Sequence, residues 1–153
     1  MKRVVLIFTL LLCFCVAEAQ NIVLGTRVPE LKVQTWLEGR QPAPSELTYI
    51  EFFHSASKSG FASLDHLKLI SNKLSTKLSI IVIVQEQETK TLDRLRPYCS
   101  GQMYIGIDNS GKDFLNFGVS YVPFGVLVNA KDRALWMGNT LKLTPAFIEK
   151  IEK

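Results

Sequence analysis

The sequence predicts an α/β domain built on a central mixed β-sheet that helices flank on both faces. Leu78–Val84 (LSIIVIV) is an almost continuous apolar run, which is typical of a strand covered on both sides. Upstream, a strand pattern is followed by a segment of helical periodicity, and this order favours parallel pairing. Two short apolar runs near the C-terminus, separated by a turn at Lys131-Asp132, add an antiparallel hairpin.

The first half of the chain contains the longest predicted helix. Leu31–Trp36 alternates only weakly between apolar and polar residues, whereas Leu47–Phe53 (LTYIEFF) is rich in β-branched and aromatic residues and predicts a strand. Phe61–Leu74 places apolar residues at every third or fourth position, which predicts a helix. After the apolar strand, Thr89–Leu95 suits a short helix, and Pro97 should end it.

The second half predicts three more strands and two helices. The strands are expected at Met103–Asp108, Phe124–Ala130 and Ala134–Gly138, with a short helix around Phe114–Phe117. The chain closes on a helix with Thr144 as its N-cap and Pro145 at the first helical position, since proline there lacks only an N–H that has no helical partner.

Residues 1–19 have the pattern of a secretory signal peptide. Lys2 and Arg3 precede an apolar run from Val4 to Val16, and Ala17-Glu-Ala19 supplies small residues at the cleavage point. The run is shorter than the about 20 residues that a membrane span requires. We therefore expect cleavage after Ala19, a periplasmic or secreted domain at residues 20–153, and no membrane span once the signal is removed.

Composition and residue spacing argue against an internal disulfide, a nucleic-acid-binding surface and a metal site. Of the three cysteines, Cys13 and Cys15 lie within the signal segment, so the exported domain keeps Cys99 alone and can form no internal disulfide. The formal net charge is +4, but the basic residues are scattered and no run of four occurs, so nucleic-acid binding is not expected. His54 and His66 have no recognised ligand spacing, and neither a metal nor a cofactor is expected.

The turn Ser55–Gly60 lies between the predicted strand Leu47–Phe53 and the long helix. Strand ends that feed helix N-termini often carry chemistry, because free N–H groups and the positive end of the helix dipole meet there. The turn offers hydroxyls, Lys58 and a glycine but no thiol. From the residues alone, Ser57 is expected to serve as a helix N-cap.

Five short patterns resemble the thioredoxin fold, in particular its exported TlpA-like branch with peroxiredoxin-related relatives. They occur in the family's order, and the overall similarity covers about residues 22–153. They are Gly25-Thr-Arg-Val-Pro-Glu-Leu31, Phe52-Phe-His-Ser-Ala-Ser57, Asp108-Asn-Ser-Gly111, Tyr121-Val-Pro-Phe124 and Asn129-Ala-Lys-Asp132. The resemblance implies a thioredoxin-like fold, a cis peptide bond at Val122–Pro123, and a buried acid near the position of Glu51.

The sequence differs from the family at the redox motif, and this difference determines whether thiol chemistry is possible. The resemblance places the family's Cys-x-x-Cys on Ser57-Lys-Ser-Gly60, so both cysteines are missing. Thiol–disulfide exchange needs a thiolate and a second thiol that resolves the mixed disulfide. A serine hydroxyl and a glycine supply neither, and dithiol oxidoreductase activity is therefore not expected.

Two functions remain, together with a purely scaffolding role. The first is a non-catalytic module that binds a protein or extended peptide of the cell envelope in a groove beside the cis-proline loop. The resemblance assigns that groove to Phe53, Ser57, Lys58, Gly60, Val122, Pro123 and Phe124. The alternative is a protein of cell redox homeostasis that acts through Cys99 alone. Cys99 follows the predicted helix Thr89–Leu95, where the helix dipole disfavours a thiolate.

Overall fold

The computed structural model describes residues 22–74 and 77–151. The predicted signal segment, residues 1–19, and its cleavage point lie outside the described residues. Within those two ranges, no helix has both the length and the apolar character needed to cross a membrane.

Six strands form one mixed sheet in the spatial order β1-β4-β3-β2-β5-β6. They are β1 Thr35–Trp36, β2 Leu47–Phe53, β3 Leu78–Val84, β4 Met103–Ile107, β5 Phe124–Asn129 and β6 Ala134–Gly138. The three central strands β2, β3 and β4 run parallel, while β1, β5 and β6 are antiparallel to their neighbours. Because β2 and β3 are parallel, the segments that follow them leave the sheet at the same edge.

Four α-helices are described, and three 3₁₀ turns supplement them. The helices are α1 Gly60–Leu74, α2 Thr89–Leu95, α3 Lys112–Asn116 and α4 Pro145–Ile151. The 3₁₀ turns are Leu37–Gly39, Arg96–Tyr98 and Thr140–Lys142. α2 ends before Pro97, as predicted, and the chain continues into the second 3₁₀ turn.

Most predicted boundaries are confirmed to within two residues. β2, β3 and β6 have the predicted limits, α1 begins one residue early, and β4 and β5 each end one residue early. α4 begins at Pro145, and the Thr144 Oγ1 accepts from the Phe147 N–H at 3.2 Å, which confirms the predicted N-cap.

The segment Leu31–Trp36 is strand only at Thr35–Trp36. Its Lys32 N–H donates to the Asp113 Oδ1 at 2.7 Å instead of to a neighbouring strand. Leu31 and Val33 pack on the apolar cluster of one sheet face. The segment therefore crosses that face of the sheet, which explains the weak alternation of its sequence.

The core consists of two apolar clusters, one on each face of the sheet. Side chains alternate along β2, so Tyr49 and Phe53 join the cluster under α1, α2 and α4. Ile50 and Phe52 join the cluster under α3 and the N-terminal segment. Helices therefore cover both faces, as predicted. The same alternation places Glu51 on the α1 face.

Candidate functional site

The turn between β2 and α1 is closed by backbone hydrogen bonds. The Ser57 N–H donates to the His54 carbonyl at 3.0 Å, and the Gly60 N–H donates to the Ser57 carbonyl at 3.1 Å. The Ser59 carbonyl accepts from the Ser63 N–H at 2.9 Å, so helical bonding starts there. Ser57 thus belongs to a β-turn that precedes the helix.

The prediction that Ser57 is the helix N-cap is wrong. α1 begins at Gly60, three residues after Ser57, because the β-turn comes first. The Ser57 Oγ instead donates to the Val122 carbonyl at 3.4 Å, which is a long bond. This contact joins the turn to the loop that precedes β5.

That loop contains the cis peptide bond predicted at Val122–Pro123. Pro123 is buried, whereas Val122 and Phe124 are half-buried. Tyr121 is 50% exposed, and its ring meets the Phe124 ring edge-on at 5.4 Å between centroids. Val122–Phe124 and Ser57 are therefore brought together, as the groove prediction requires.

Phe53 and Gly60 lie beneath the turn rather than on its surface. Phe53 is 1% exposed and packs edge-on against Phe61 of α1, with ring centroids 5.1 Å apart. A Cβ on Gly60 would lie 2.9 Å from the His54 carbonyl oxygen and 3.1 Å from the Phe53 Cε2. Phe53 therefore belongs to the core. Gly60 allows the start of α1 to lie close to the His54 carbonyl and the Phe53 ring. Neither residue presents a side chain to a partner. Lys58 is exposed on the turn.

Glu86 holds the turn from the neighbouring strand end. Its Oε2 accepts from the Ser55 N–H at 2.8 Å and its Oε1 accepts from the Ser55 hydroxyl. The Glu86 side chain is 10% exposed, and its Oε1 lies 3.6 Å from the His54 Nδ1. Glu86 follows β3 as Ser55 follows β2, and the shared edge of these parallel strands is the sequence signal that could have identified it.

Comparison with solved structures identifies the architecture. No family model matches the sequence, and no curated protein matches it. The thioredoxin domain of a thiol-disulfide oxidoreductase from Bacteroides vulgatus superposes with a TM-score of 0.68 at 12% identity, covering 87% of this chain and 100% of that one. A thiol peroxidase from Chromobacterium violaceum gives 0.66 at 17% identity, with 88% and 87% covered.

A third similar structure is a thioredoxin-like protein from Bacteroides caccae, with a TM-score of 0.66 at 18% identity. The match covers 86% of this chain and 50% of that longer one. The fold is thioredoxin-like. At these identities the likeness concerns the fold alone, so the site must be interpreted from its own residues.

Beneath the turn of this thioredoxin-like domain, Glu51 is fully buried in a chain of hydroxyls. The Ser63 Oγ lies 2.7 Å from the Glu51 Oε1, and the Thr140 Oγ1 contacts the Oε2. The Tyr49 hydroxyl lies 3.0 Å from the same Thr140 Oγ1. Burial raises the pKa of Glu51 to about 8, and the hydrogen bonds between this carboxyl group and Thr140 and Ser63 offset part of that rise.

The hydrogen-bond geometry fits a protonated Glu51. The Ser63 Oγ is also 2.7 Å from the Gly60 carbonyl, and its single proton cannot serve two acceptors. If the Glu51 Oε1 carries a proton, it donates to the Ser63 Oγ while Ser63 donates to the Gly60 carbonyl. Tyr49 then donates to Thr140 and Thr140 to the Glu51 Oε2, so every donor in the chain has an acceptor.

Cys99 is a free, half-buried thiol beyond the 3₁₀ turn Arg96–Tyr98. Burial raises its pKa, and the nearby Arg40 and Arg96 offset this only in part. Cys99 leads into the N-terminal end of β4, whereas Ser57 follows the C-terminal end of the parallel strand β2. Topology thus separates Cys99 from the turn, and its raised pKa favours the neutral thiol.

The two histidines have separate contacts. His54 is exposed after β2, and its Nδ1 accepts from the Ala56 N–H at 3.1 Å. His66 of α1 is half-buried, and its Nε2 donates to the Leu143 carbonyl at 2.7 Å. Across residues 22–74 and 77–151, no three His, Cys, Asp or Glu side chains gather as possible metal ligands.

Proposed function

We propose that this thioredoxin-like domain is exported and binds an extended segment of another protein of the cell envelope, without thiol chemistry. The observation that carries the proposal is the contact between Ser57 and the cis Val122–Pro123 loop, which brings the two segments of the proposed groove together at a position that has no cysteine. The groove is redefined by its accessible residues as Ser57, Lys58, Tyr121, Val122 and Phe124.

The register of the sheet supports binding of an extended chain. β6 ends at Gly138, which pairs with Gly125, so no β6 residue pairs with Val122–Phe124. On the other side, Phe124 pairs with Phe52 of β2. The backbone before Gly125 is thus open on the β6 side, where an extended segment can add as a short strand.

Tyr121 gives this edge an apolar contact surface. Half of the side chain is exposed, and its contact with the Phe124 ring fixes its orientation. Half-exposed tyrosines with a fixed ring often dominate binding energy, because they bury a large area for little loss of side-chain entropy. Sequence reasoning placed Tyr121 in the loop motif but did not select it for binding.

Replacing Tyr121 with alanine is expected to weaken peptide binding about tenfold or more, since the ring supplies the apolar contact. Display selection of extended peptides on the purified protein provides ligands, and isothermal titration compares their affinities. Leu69→Ala is the matched control, because Leu69 is 64% exposed on α1, outside the groove. Equal affinities for Tyr121→Ala and the parent protein would contradict the proposed groove.

A further inference from the structure

The proposed groove carries one full charge. Within the turn 54–60, Lys58 is the sole charged side chain when histidine is neutral, and the loop 117–124 (FGVSYVPF) has none. Lys58 is exposed, and within the described ranges its ammonium forms no ion pair and no hydrogen bond with another residue. The groove therefore presents an uncompensated positive charge beside apolar and backbone contacts.

Glu86 contacts the turn that carries Lys58 but makes no contact with the lysine itself. Both oxygens of Glu86 accept from Ser55, one from its N–H and one from its hydroxyl. These bonds hold the carboxylate at the base of the turn, next to His54. Glu86 thus holds the turn that carries Lys58, and within the described residues it forms no ion pair with the lysine.

A partner that covers the groove changes the surroundings of Lys58. Lys58 is adjacent to Ser57, whose Oγ lies 3.4 Å from the Val122 carbonyl, so its four-carbon side chain is long enough to reach a partner that adds at this edge. Removing water from an unpaired ammonium is unfavourable unless an anion replaces it. A basic segment would place like charges together and is disfavoured further.

We infer that the extended segment is acidic, with a carboxylate opposite Lys58 and an apolar side chain against Tyr121. This inference rests on the proposed groove and adds the chemistry of its partner. The aromatic contact supplies affinity, while the charge of Lys58 decides which segments are accepted.

Three synthetic peptides test the inference on the full chain. Each is a capped, β-prone nonapeptide with a central phenylalanine, and the residues flanking it are both Asp, both Asn or both Lys. For the parent protein, titration at low salt should show about fivefold tighter binding of the Asp peptide than of the Asn peptide. The preference should shrink at high salt, because a charge at the edge of the groove is screened.

Variants assign the preference to one side chain. Lys58→Met should make the Asp and Asn peptides bind equally, and Lys58→Glu should favour the Lys peptide. Lys73→Met, at the other end of α1, is the matched control and should keep the parent preference. A preference that survives Lys58→Met, or none in the parent protein, would overturn the inference.

The same measurements distinguish an error about the acidic partner from an error about the groove. If the three peptides bind the parent protein without charge preference and Tyr121→Ala weakens all of them, the groove stands and the acidic partner is wrong. If none binds, or if all bind Tyr121→Ala as tightly as the parent protein, both proposals are overturned.

Discussion

Glu51→Gln is expected to make the free energy of unfolding much less dependent on pH. In the parent protein this free energy should fall as pH rises from about 4 to 8, and the substitution should remove most of that fall. Glutamine has nearly the shape of a protonated glutamic acid. Its amide can donate to the Ser63 Oγ and accept from the Thr140 Oγ1, so both contacts of the buried site are kept. The substitution therefore removes the charge without opening a cavity.

The raised pKa of Glu51 explains why stability should fall, rather than rise, as pH increases. Burial raises the pKa of Glu51 from an ordinary value of 4.5 to about 8. The stabilising contribution of the folded, protonated form is complete below the unfolded pKa and is lost progressively as pH approaches the folded pKa. At 1.36 kcal/mol per pKa unit, the loss at pH 7 is on the order of 3 kcal/mol, a large part of the stability of a domain this size.

Urea unfolding at several pH values measures this effect. The free energy of unfolding of the parent protein should fall between about pH 4 and 8, and Glu51→Gln should flatten that decline and exceed the parent at pH 8. Glu46→Gln is the control, since Glu46 is exposed just before β2. An unchanged slope in Glu51→Gln would show that the buried network does not titrate as described.

A dithiol introduced at positions 57 and 60 is expected to restore disulfide exchange to a site that lacks it. The Gly60 N–H to Ser57 carbonyl bond of 3.1 Å closes a four-residue turn, so the two Cα atoms lie within about 7 Å. Disulfides bridge Cα atoms about 4.4–6.8 Å apart. Cys99→Ser in the same chain removes the competing thiol.

The double substitution Ser57→Cys with Gly60→Cys is expected to destabilise the folded protein. The Cβ introduced by Gly60→Cys would lie 2.9 Å from the His54 carbonyl oxygen, so the backbone of the turn must shift. Such overpacking costs about 1–3 kcal/mol. The reduced double variant should therefore unfold at lower urea concentration than the parent protein. The thiol at position 57, near the positive end of α1, should titrate below the ordinary value of about 8.5.

Thiol titration after mild oxidation decides the outcome. Ser57→Cys with Gly60→Cys should lose both free thiols within the monomer, whereas Ser57→Cys alone should keep its thiol or form dimers. A folded double variant that retains two free thiols would show that positions 57 and 60 do not match the family's cysteine pair.

The sequence predicted those parts of the fold that local pattern determines. β2, β3 and β6 are apolar runs with clear stops, and their limits are correct. The cis bond at Val122–Pro123 followed from the family resemblance and is present. The alternation of β2 also places Glu51 and Phe53 on one face, so the burial of Phe53 could have been predicted.

Other features depend on contacts between distant segments. Ser57 was expected to cap α1, but the choice between a cap and a β-turn depends on the loop at Val122, 65 residues away. The role of Glu86 arises only when β2 and β3 pair in register. The family resemblance places one of the missing cysteines at Gly60, and only packing shows that this glycine also makes room for Phe53.

Reduction of insulin by dithiothreitol tests most directly whether this site works without thiol chemistry. Cys99 is the one thiol within residues 22–74 and 77–151, burial raises its pKa, and those residues hold no second thiol that could resolve a mixed disulfide. The parent protein and Cys99→Ser should therefore both leave insulin precipitation at the rate seen with buffer alone, while thioredoxin in the same assay accelerates it. Catalysis by the parent protein that disappears in Cys99→Ser would contradict the account and make Cys99 the functional residue.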